Sequence, residues 1–583
     1  MMCNSKLDSI TQQIVERSAN TRANYLERLK LIKNDSPSIS EFESSNAAHL
    51  FAGLDPQRKL IIQKKASRNL GIISSYNEMV SAHVPYGEYP NIIKDVSIRE
   101  GHSAAFIGGV PAICDGIVQG YSGMEASLIS RDIIAMSTAV PLACDVSDCA
   151  VLLGTCDKIV PGMLIGALSR GYLPVAFLPS GPMSTGISNS EKSKARQKFH
   201  EGTIDSDSLL DVECKCYHGH GTCTFFGTAN TNQVMLEAIG LQLIDTGLSP
   251  VCGDKRQLIS PVVKSLLKED APALYDVVTE QSIVNACVVW LATGGSTNHT
   301  IHMVAIARAA GIDLRWEDID ALSEIVPLLA RIYPNGQADV NAFHAAGGVS
   351  SVMKQLIKLK LLHEEAICFN GQTLSEQLDR LNREITDNEI IAAYNAPFNL
   401  SGGIKLLSGN LGEGIMKVSS VEQSRLIVKA PARVFISQQD VYNAYVNGSL
   451  WTDVVVVVKN QGRMSNGMPE LHKLIPLLSN IYDRGYQVAL VTDGRLSGAS
   501  GKIPSVVHVT PEAKRSGQIG LIKDGDLIEV NGVEGTLHCS ALSGSQPVIP
   551  DSSDWSSQDI FDLLRLTSSH PSNGSMSYTD KIS

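Results

Sequence analysis

Several things are scarce in this 583-residue chain. Aromatic residues make up 5%, so a core has to be built mainly from Ala, Val, Ile and Leu. The opening Met-Met-Cys-Asn-Ser-Lys-Leu-Asp lacks the apolar stretch of a signal peptide. No apolar run approaches the roughly 18–20 residues needed to span a bilayer. Cationic charge is outnumbered, with 49 Lys and Arg against 60 Asp and Glu, a net charge of −11. That argues against a general polyanion-binding surface, and neither nucleic acid nor membrane is expected as a partner. Twelve cysteines are too few for a disulfide scaffold, and without a secretory signal they are expected as reduced thiols in the cytoplasm. There is no CxxC pair, which disfavours a zinc ribbon or a ferredoxin-like cluster. The Walker A order and the GxSxG elbow are also missing.

What is present reads as a folded, enzyme-sized protein: 43% hydrophobic, 19% charged and rich in Gly (48). Near-helical spacing of Leu7, Ile10, Ile14, Tyr25, Leu26 and Leu29 predicts one or two surface helices. The core begins near Leu70. Ala150–Leu153 is a short apolar strand, followed by Gly154-Thr155-Cys156-Asp157-Lys158, a helix through Leu168 and the strand Leu173–Leu178. Strand, polar loop, helix, strand is a βαβ unit and implies a parallel sheet. A charged stretch near 365–395 then gives way to Leu400-Ser401-Gly402-Gly403, and strand signals dominate beyond it. They include five consecutive valines from Val454, Val488–Val491, and an Asn531-Gly532 hairpin signal. The expected class is α/β, with an N-terminal parallel-sheet domain (1–390) and a β-rich, barrel-like C-terminal domain (391–583). The Ser-rich end from Ser568 is expected to fray.

Three sets of residues carry chemistry. Cys114, Cys156 and Cys223 each lie in polar, glycine-flanked segments, suited to hold an iron–sulfur cluster. A buried cysteine is more often a small apolar residue, and Cys214/Cys216 compete as a CxC pair. Asp115, Asp157 and Glu470 sit in glycine- or proline-rich loops, where oxygen ligands for Mg²⁺ are often presented. Lys158, beside Asp157, is either a salt-bridge partner or, carbamylated, a metal ligand. Thr492-Asp493-Gly494-Arg495-Leu496-Ser497-Gly498 offers backbone N–H groups and hydroxyls to an anion.

Together, Cys156-Asp157-Lys158-Ile159-Val160-Pro161-Gly162 and Leu490-Val491-Thr492-Asp493-Gly494-Arg495-Leu496-Ser497-Gly498 resemble the two signature motifs of the dihydroxy-acid dehydratase / phosphogluconate dehydratase family. The likeness extends over nearly the whole chain. Ser81–Tyr86, Gly221–Gln233 and Asn466–Lys473 resemble its phosphogluconate branch. The resemblance implies cluster ligation by Cys156 and Cys223, Mg²⁺ ligation by Asp115, Asp157, Lys158 and Glu470, and Ser497 as the catalytic base. Relatives with a [2Fe-2S] cluster carry a further cysteine where this chain reads Ser81-Ala82-His83, so a [4Fe-4S] cluster is implied, with Cys114 as the candidate third ligand. Ile436 also replaces what is commonly a glutamate. A homodimer acting on a phosphorylated sugar acid is implied, the alternatives being another 2,3-dihydroxy acid or a noncatalytic iron-binding role. The site is expected between the two domains. Lys502, with Arg495 as the second choice, is expected to read the phosphate.

Overall fold

A computed structural model describes residues 4–36, 42–64, 67–250, 254–496, 502–540, 542 and 560–578. The first element is one long helix, α1 (Ser5–Asp35), whose Leu7, Ile10, Ile14, Tyr25 and Leu29 are buried. Its Tyr25 hydroxyl donates to the Leu168 carbonyl at 2.9 Å.

Four short strands follow, β1 (Asn69–Ser74), β2 (Ser103–Gly109), β3 (Cys149–Leu153) and β4 (Val175–Leu178), paired in parallel in the order β2-β1-β3-β4. Strands β1, β3 and β4 are buried throughout, because helices cover both faces of a parallel sheet. Leu70, Ile72, Cys149 and Val151 pack to one side, and Ile73, Ala150 and Leu152 to the other. The helices that matter for the site are α2 (Ser127–Leu142), α3 (Ile159–Leu168), α4 (Asn189–His200), α5 (Thr228–Ile239), α6 (Glu280–Ala292) and α7 (His299–Ala309). Helix α3 packs on α2 at Gly162 and Gly166, where an added Cβ would meet the Arg131 and Ala135 carbonyls at 2.7 and 2.4 Å.

Beyond Ile404 the chain closes an eight-stranded barrel in the order β10-β6-β5-β12-β11-β7-β8-β9. The strands are β5 (Ile404–Gly409), β6 (Gly412–Lys417), β7 (Ile427–Phe435), β8 (Val454–Val458), β9 (Val488–Thr492), β10 (Ser505–Thr510), β11 (Leu527–Asn531) and β12 (Thr536–Cys539). The Asn531-Gly532 signal marks a real hairpin, with Asn531 paired to Thr536. Strands β7 to β10 run parallel, and the β8–β9 crossover carries helix α8 (Leu474–Asp483). The barrel is therefore half α/β in construction. Its alternation explains the valine run: Val455 and Val457 fill the interior, while Val454, Val456 and Val458 face the main core.

The C-terminal segment overturns the expectation of fraying. Ser568, Ser569, Ser575 and Met576 are buried. The Gly574 and Ser575 carbonyls accept from Arg131 at 2.8 and 2.5 Å, and Ser575 also from Arg463. Serine content signalled an exposed tail, but what holds it is backbone carbonyls against two buried arginines.

Candidate active site at the seam of sheet and barrel

Both parallel arrays point the carboxyl ends of their strands at one place, where ligand sites of α/β sheets form. From the sheet, β3 delivers Gly154–Lys158, and β2 leads to the short helix that starts at Asp115. From the barrel, β8 leads to the Glu470 loop and β9 to Arg495, and these two residues form an isolated parallel bridge. Gly467, at φ +81°, permits the close approach of the two halves: a Cβ there would lie 1.9 Å from the Glu125 carbonyl.

Carboxylate oxygens of Asp115, Asp157 and Glu470 lie within 4.8 Å of one another. Lys158 Nζ donates to both Asp115 and Asp157. Arg495 enters from the barrel side, 2.8 Å from Glu470 Oε1, 3.0 Å from Asp115 Oδ2 and 3.5 Å from Asp157 Oδ2. Its Nε donates to the Met468 carbonyl at 2.8 Å. Burial alone would raise Asp157, but Lys158, with His302 and Arg495, holds it well below the usual carboxylate range. Burial pushes Glu470 upward, against the pull of Arg495. Asp157 Oδ1 is buried with no hydrogen-bond partner, the nearest imidazole nitrogen, His302 Nε2, being 3.8 Å away. An orphaned carboxylate oxygen among three carboxylates fits a hard divalent cation.

The thiols adjoin this cluster. Cys156 takes a left-handed backbone, φ +69°, a strained conformation for a residue with a Cβ. Burial, then the neighbouring Cys114 and Cys223, raise its thiol well above the usual value. Cys223 is pushed up to about 12 by burial, with Cys114 the next cause. Each thiol thus lies within electrostatic reach of the other two. Among the described residues, however, the three sulfurs form no group within 4.8 Å. One ion with metal–sulfur bonds of about 2.3 Å would need ligand sulfurs roughly 4 Å apart, which this set does not offer. Cys214 is exposed and Cys216 lies on a separate helix, Ser206–Cys216.

Two asparagines fix these loops. Asn230 donates to the Cys223 and Phe225 carbonyls at 2.7 and 2.8 Å. Asn232 donates to the Cys156 and Asp157 carbonyls, each at 2.9 Å, and its oxygen contacts His299 at 3.0 Å. Asn298 donates to Glu470 Oε1 at 3.1 Å, and Ser127 bonds Asp115. Sequence reasoning missed Asn232, Asn298, His302 and Ser127. For Asn232 the signal was the polar run Thr228-Ala229-Asn230-Thr231-Asn232-Gln233, which is buried with the rest of its helix.

Ser497 lies outside the described residues. The two residues expected to read the phosphate have other partners here. Lys502 is about half exposed and paired with Asp483 at 2.7 Å, and Arg495 is committed to the three carboxylates.

Comparison with known proteins agrees with this geometry. Residues 68–377 match the dihydroxy-acid/6-phosphogluconate dehydratase N-terminal model and 389–546 the C-terminal one. Phosphogluconate dehydratase of Escherichia coli K12 is 45% identical, over 96% of this chain and 97% of its own. The enzymes of the same name from Rhizobium meliloti and Pseudomonas aeruginosa are 46% and 43% identical, covering 92% and 98% of both chains respectively. With both halves matched and the carboxylates and thiols meeting where they join, the chain belongs to the dihydroxy-acid/6-phosphogluconate dehydratase family.

Proposed function

We propose that the protein is a hydro-lyase converting 6-phospho-D-gluconate to 2-dehydro-3-deoxy-6-phospho-D-gluconate and water, a step of the Entner–Doudoroff pathway. The observation that carries this reading is the meeting of Asp115, Asp157 and Glu470 beside Cys114, Cys156 and Cys223 at the junction of sheet and barrel. Near-full-length similarity to enzymes named phosphogluconate dehydratase supports the substrate.

Cys156 and Cys223, with Cys114 as third ligand, would hold a [4Fe-4S] cluster, and Asp115, Asp157 and Glu470 would hold Mg²⁺. Lys158 would join them as the carbamate; unmodified, its ammonium bridges Asp115 and Asp157. Bound there, these groups supply Lewis acidity to the leaving C3 hydroxyl and to the substrate's carboxylate and C2 oxygen. Ser497, two residues beyond Arg495, takes the C2 proton as the base. The Arg495 guanidinium adds fixed positive charge where the enediolate develops. The C3 hydroxyl leaves as water, and protonation at C3 of the resulting enol gives the 2-oxo product. Asn298 and Ser127 hold the Glu470 and Asp115 carboxylates in place.

In this reading residues 1–390 bring the cysteines, both aspartates and Lys158, and 391–583 bring Glu470 and Ser497. No described helix is long and apolar enough to cross a membrane, and free thiols favour the cytoplasm. A homodimer is proposed, for which Phe106, Met136 and Val140, exposed on β2 and α2, offer apolar surface. The test is anaerobic purification followed by assays on 6-phosphogluconate and dihydroxyisovalerate. Turnover of the first with a visible-absorbing chromophore is expected. Turnover of dihydroxyisovalerate alone would move the protein to another branch of the family.

A further inference from the structure

The proposed substrate ends in a phosphate dianion, yet Lys502 and Arg495 are both engaged elsewhere. A different set of cations lies next to the site. Helix α4 places Lys192, Arg196 and His200 at i, i+4 and i+8, on one face. That face meets the barrel: α4 packs on α8, and Gln197 bonds Asp483 at 3.2 Å.

Lys192 is 6% exposed. Its ammonium has the Tyr217 hydroxyl at 3.0 Å and lies over the Tyr217 and Phe225 rings, 4.7 and 5.0 Å from their centroids. Among the described residues no carboxylate is within ion-pairing distance of it, an unusual state for a buried lysine. Arg196 uses Nε on Glu213, at 2.5 Å, and extends Nη1 to His472 Nε2, at 2.9 Å. Arginine has no acceptor, so His472 Nε2 must accept and Nδ1 must carry the proton. That Nδ1 is buried without a partner, as is His200 Nδ1. Among the described residues Glu213 is the one carboxylate bonded to this group, and Lys473 adds a further cation whose charge is felt at His200.

The cations share walls with the reaction centre. Phe225, under Lys192, is two residues from Cys223, and His472 is two residues from Glu470. A ligand anchored at the carboxylates and thiols through C1 to C3 would meet these cations if its far end extends past Phe225 and His472. We propose that Lys192, Arg196 and His472 form the subsite for the substrate's phosphate monoester, the ammonium, the free guanidinium arm and the imidazole N–H together matching a dianion with several acceptor oxygens. This inference rests on the proposed phosphogluconate reading.

The test is steady-state kinetics of anaerobic holoenzyme carrying Lys192→Met, with iron content and circular dichroism measured alongside. KM for 6-phosphogluconate should rise at least tenfold while kcat changes less than threefold. The inhibition constant of gluconate, which lacks the phosphate, should move less than threefold. Lys192→Arg should recover most of the lost affinity. If Lys192→Met fails to fold, His472→Gln, which keeps an acceptor for Arg196 near the Nε2 position and removes the Nδ1 donor, carries the same comparison. Unchanged KM, or an equal loss for phosphogluconate and gluconate, would overturn the subsite and leave the proposed reaction standing. Wild-type enzyme that does not turn over 6-phosphogluconate would remove the reaction itself and the subsite with it.

Discussion

Replacing Arg495 with methionine separates two roles of its guanidinium. Methionine keeps an unbranched stem of similar course, so the change removes charge and donors more than volume. Asp115, Asp157 and Glu470 carry −3 when all are ionised, and Arg495 contacts all three at 2.8–3.5 Å while 1% exposed. Without metal, the variant leaves these carboxylates with one fewer cation. Removing one partner of a buried ionic set costs roughly 3–5 kcal/mol, so metal-free Arg495→Met should unfold at clearly lower denaturant than wild type. With a divalent cation bound, the same guanidinium is a repelling neighbour. At roughly 4–5 Å and an effective dielectric near 20, two unit charges interact by about 4 kcal/mol, and a divalent ion doubles this. Relaxation and solvent entry reduce the effect, and about 1.4 kcal/mol, tenfold in affinity, is a conservative remainder. Mg²⁺ should therefore bind Arg495→Met at least tenfold more tightly and restore more stability than it adds to wild type. The state of Lys158 cancels in the comparison, since both proteins share it. Calorimetric Mg²⁺ titration and denaturation with and without Mg²⁺ give the answer. Weaker Mg²⁺ binding in the variant would refute the reasoning, because it would mean that Arg495 matters by holding the carboxylates in position.

Cys156→Ser and Cys223→Ser should each lose iron and activity while keeping far-ultraviolet circular dichroism, and unchanged iron content would remove that residue from the ligand set. Asn232→Ala deletes two 2.9 Å bonds that hold the Cys156-Asp157 backbone, and should cost about 2–3 kcal/mol and lower iron occupancy; full occupancy would show that Cys156 keeps its left-handed turn unaided. Truncation after Thr567 strips the buried Arg131 and Arg463 of the Gly574 and Ser575 carbonyls and removes the burial of Met576, so a loss of at least about 3 kcal/mol is expected; wild-type stability of the truncated chain would show that the tail only decorates the surface. Burial lowers His299, His302 and His508 to about 3, 4 and 3. Because their unfolded forms titrate near 6.5, the unfolded chain takes up these protons first on acidification. Stability is retained above about pH 6.5 and lost below it, by up to about 1.4 kcal/mol per pH unit for each histidine. Buried Glu237 and Glu512, raised to about 8 and 7, shift total stability the opposite way, so the check is site-specific: NMR titration of each imidazole in the folded protein, where protonation near pH 6.5 would contradict the reading.

What the sequence exposed was residue type and local setting. Cys156-Asp157-Lys158 follows an apolar strand and precedes a buried helix, so its place at a strand's carboxyl end was readable from about ten residues. The valines of β8 were equally plain. Pairing over distance was not. Arg495 reaches Asp115 across 380 positions, and its glycine-rich turn resembles an anion site as well as it does a carboxylate clamp. Lys192, Arg196 and His200 sit on a helix with few apolar residues, where a charged face normally reads as solvated surface. Its packing on α8 and against Tyr217, Phe225 and Glu213 covers that face. The C-terminal tail was misread for a related reason, since the acceptors that anchor it belong to the backbone and leave no trace in side-chain pattern.

Charge placement links these separate features. At −11 overall, the protein repels an anionic substrate at long range, although such repulsion is screened beyond about 8–10 Å at physiological salt. Orientation must then come from short-range fields in the cleft. One side presents three carboxylates with Lys158 and Arg495 among them, so a substrate carboxylate is met there through a cation. The other presents Lys192, Arg196 and His472, with Glu213 their one bonded carboxylate among the described residues. A substrate with a carboxylate at one end and a phosphate at the other is held in one direction by this pair of opposite fields. Reversed, its phosphate would face the three carboxylates. Reversing the charge on the cationic side, as in Lys192→Glu, should therefore impair phosphogluconate binding more than Lys192→Met does. A KM for Lys192→Glu no higher than that of Lys192→Met would show that charge there does not orient the substrate.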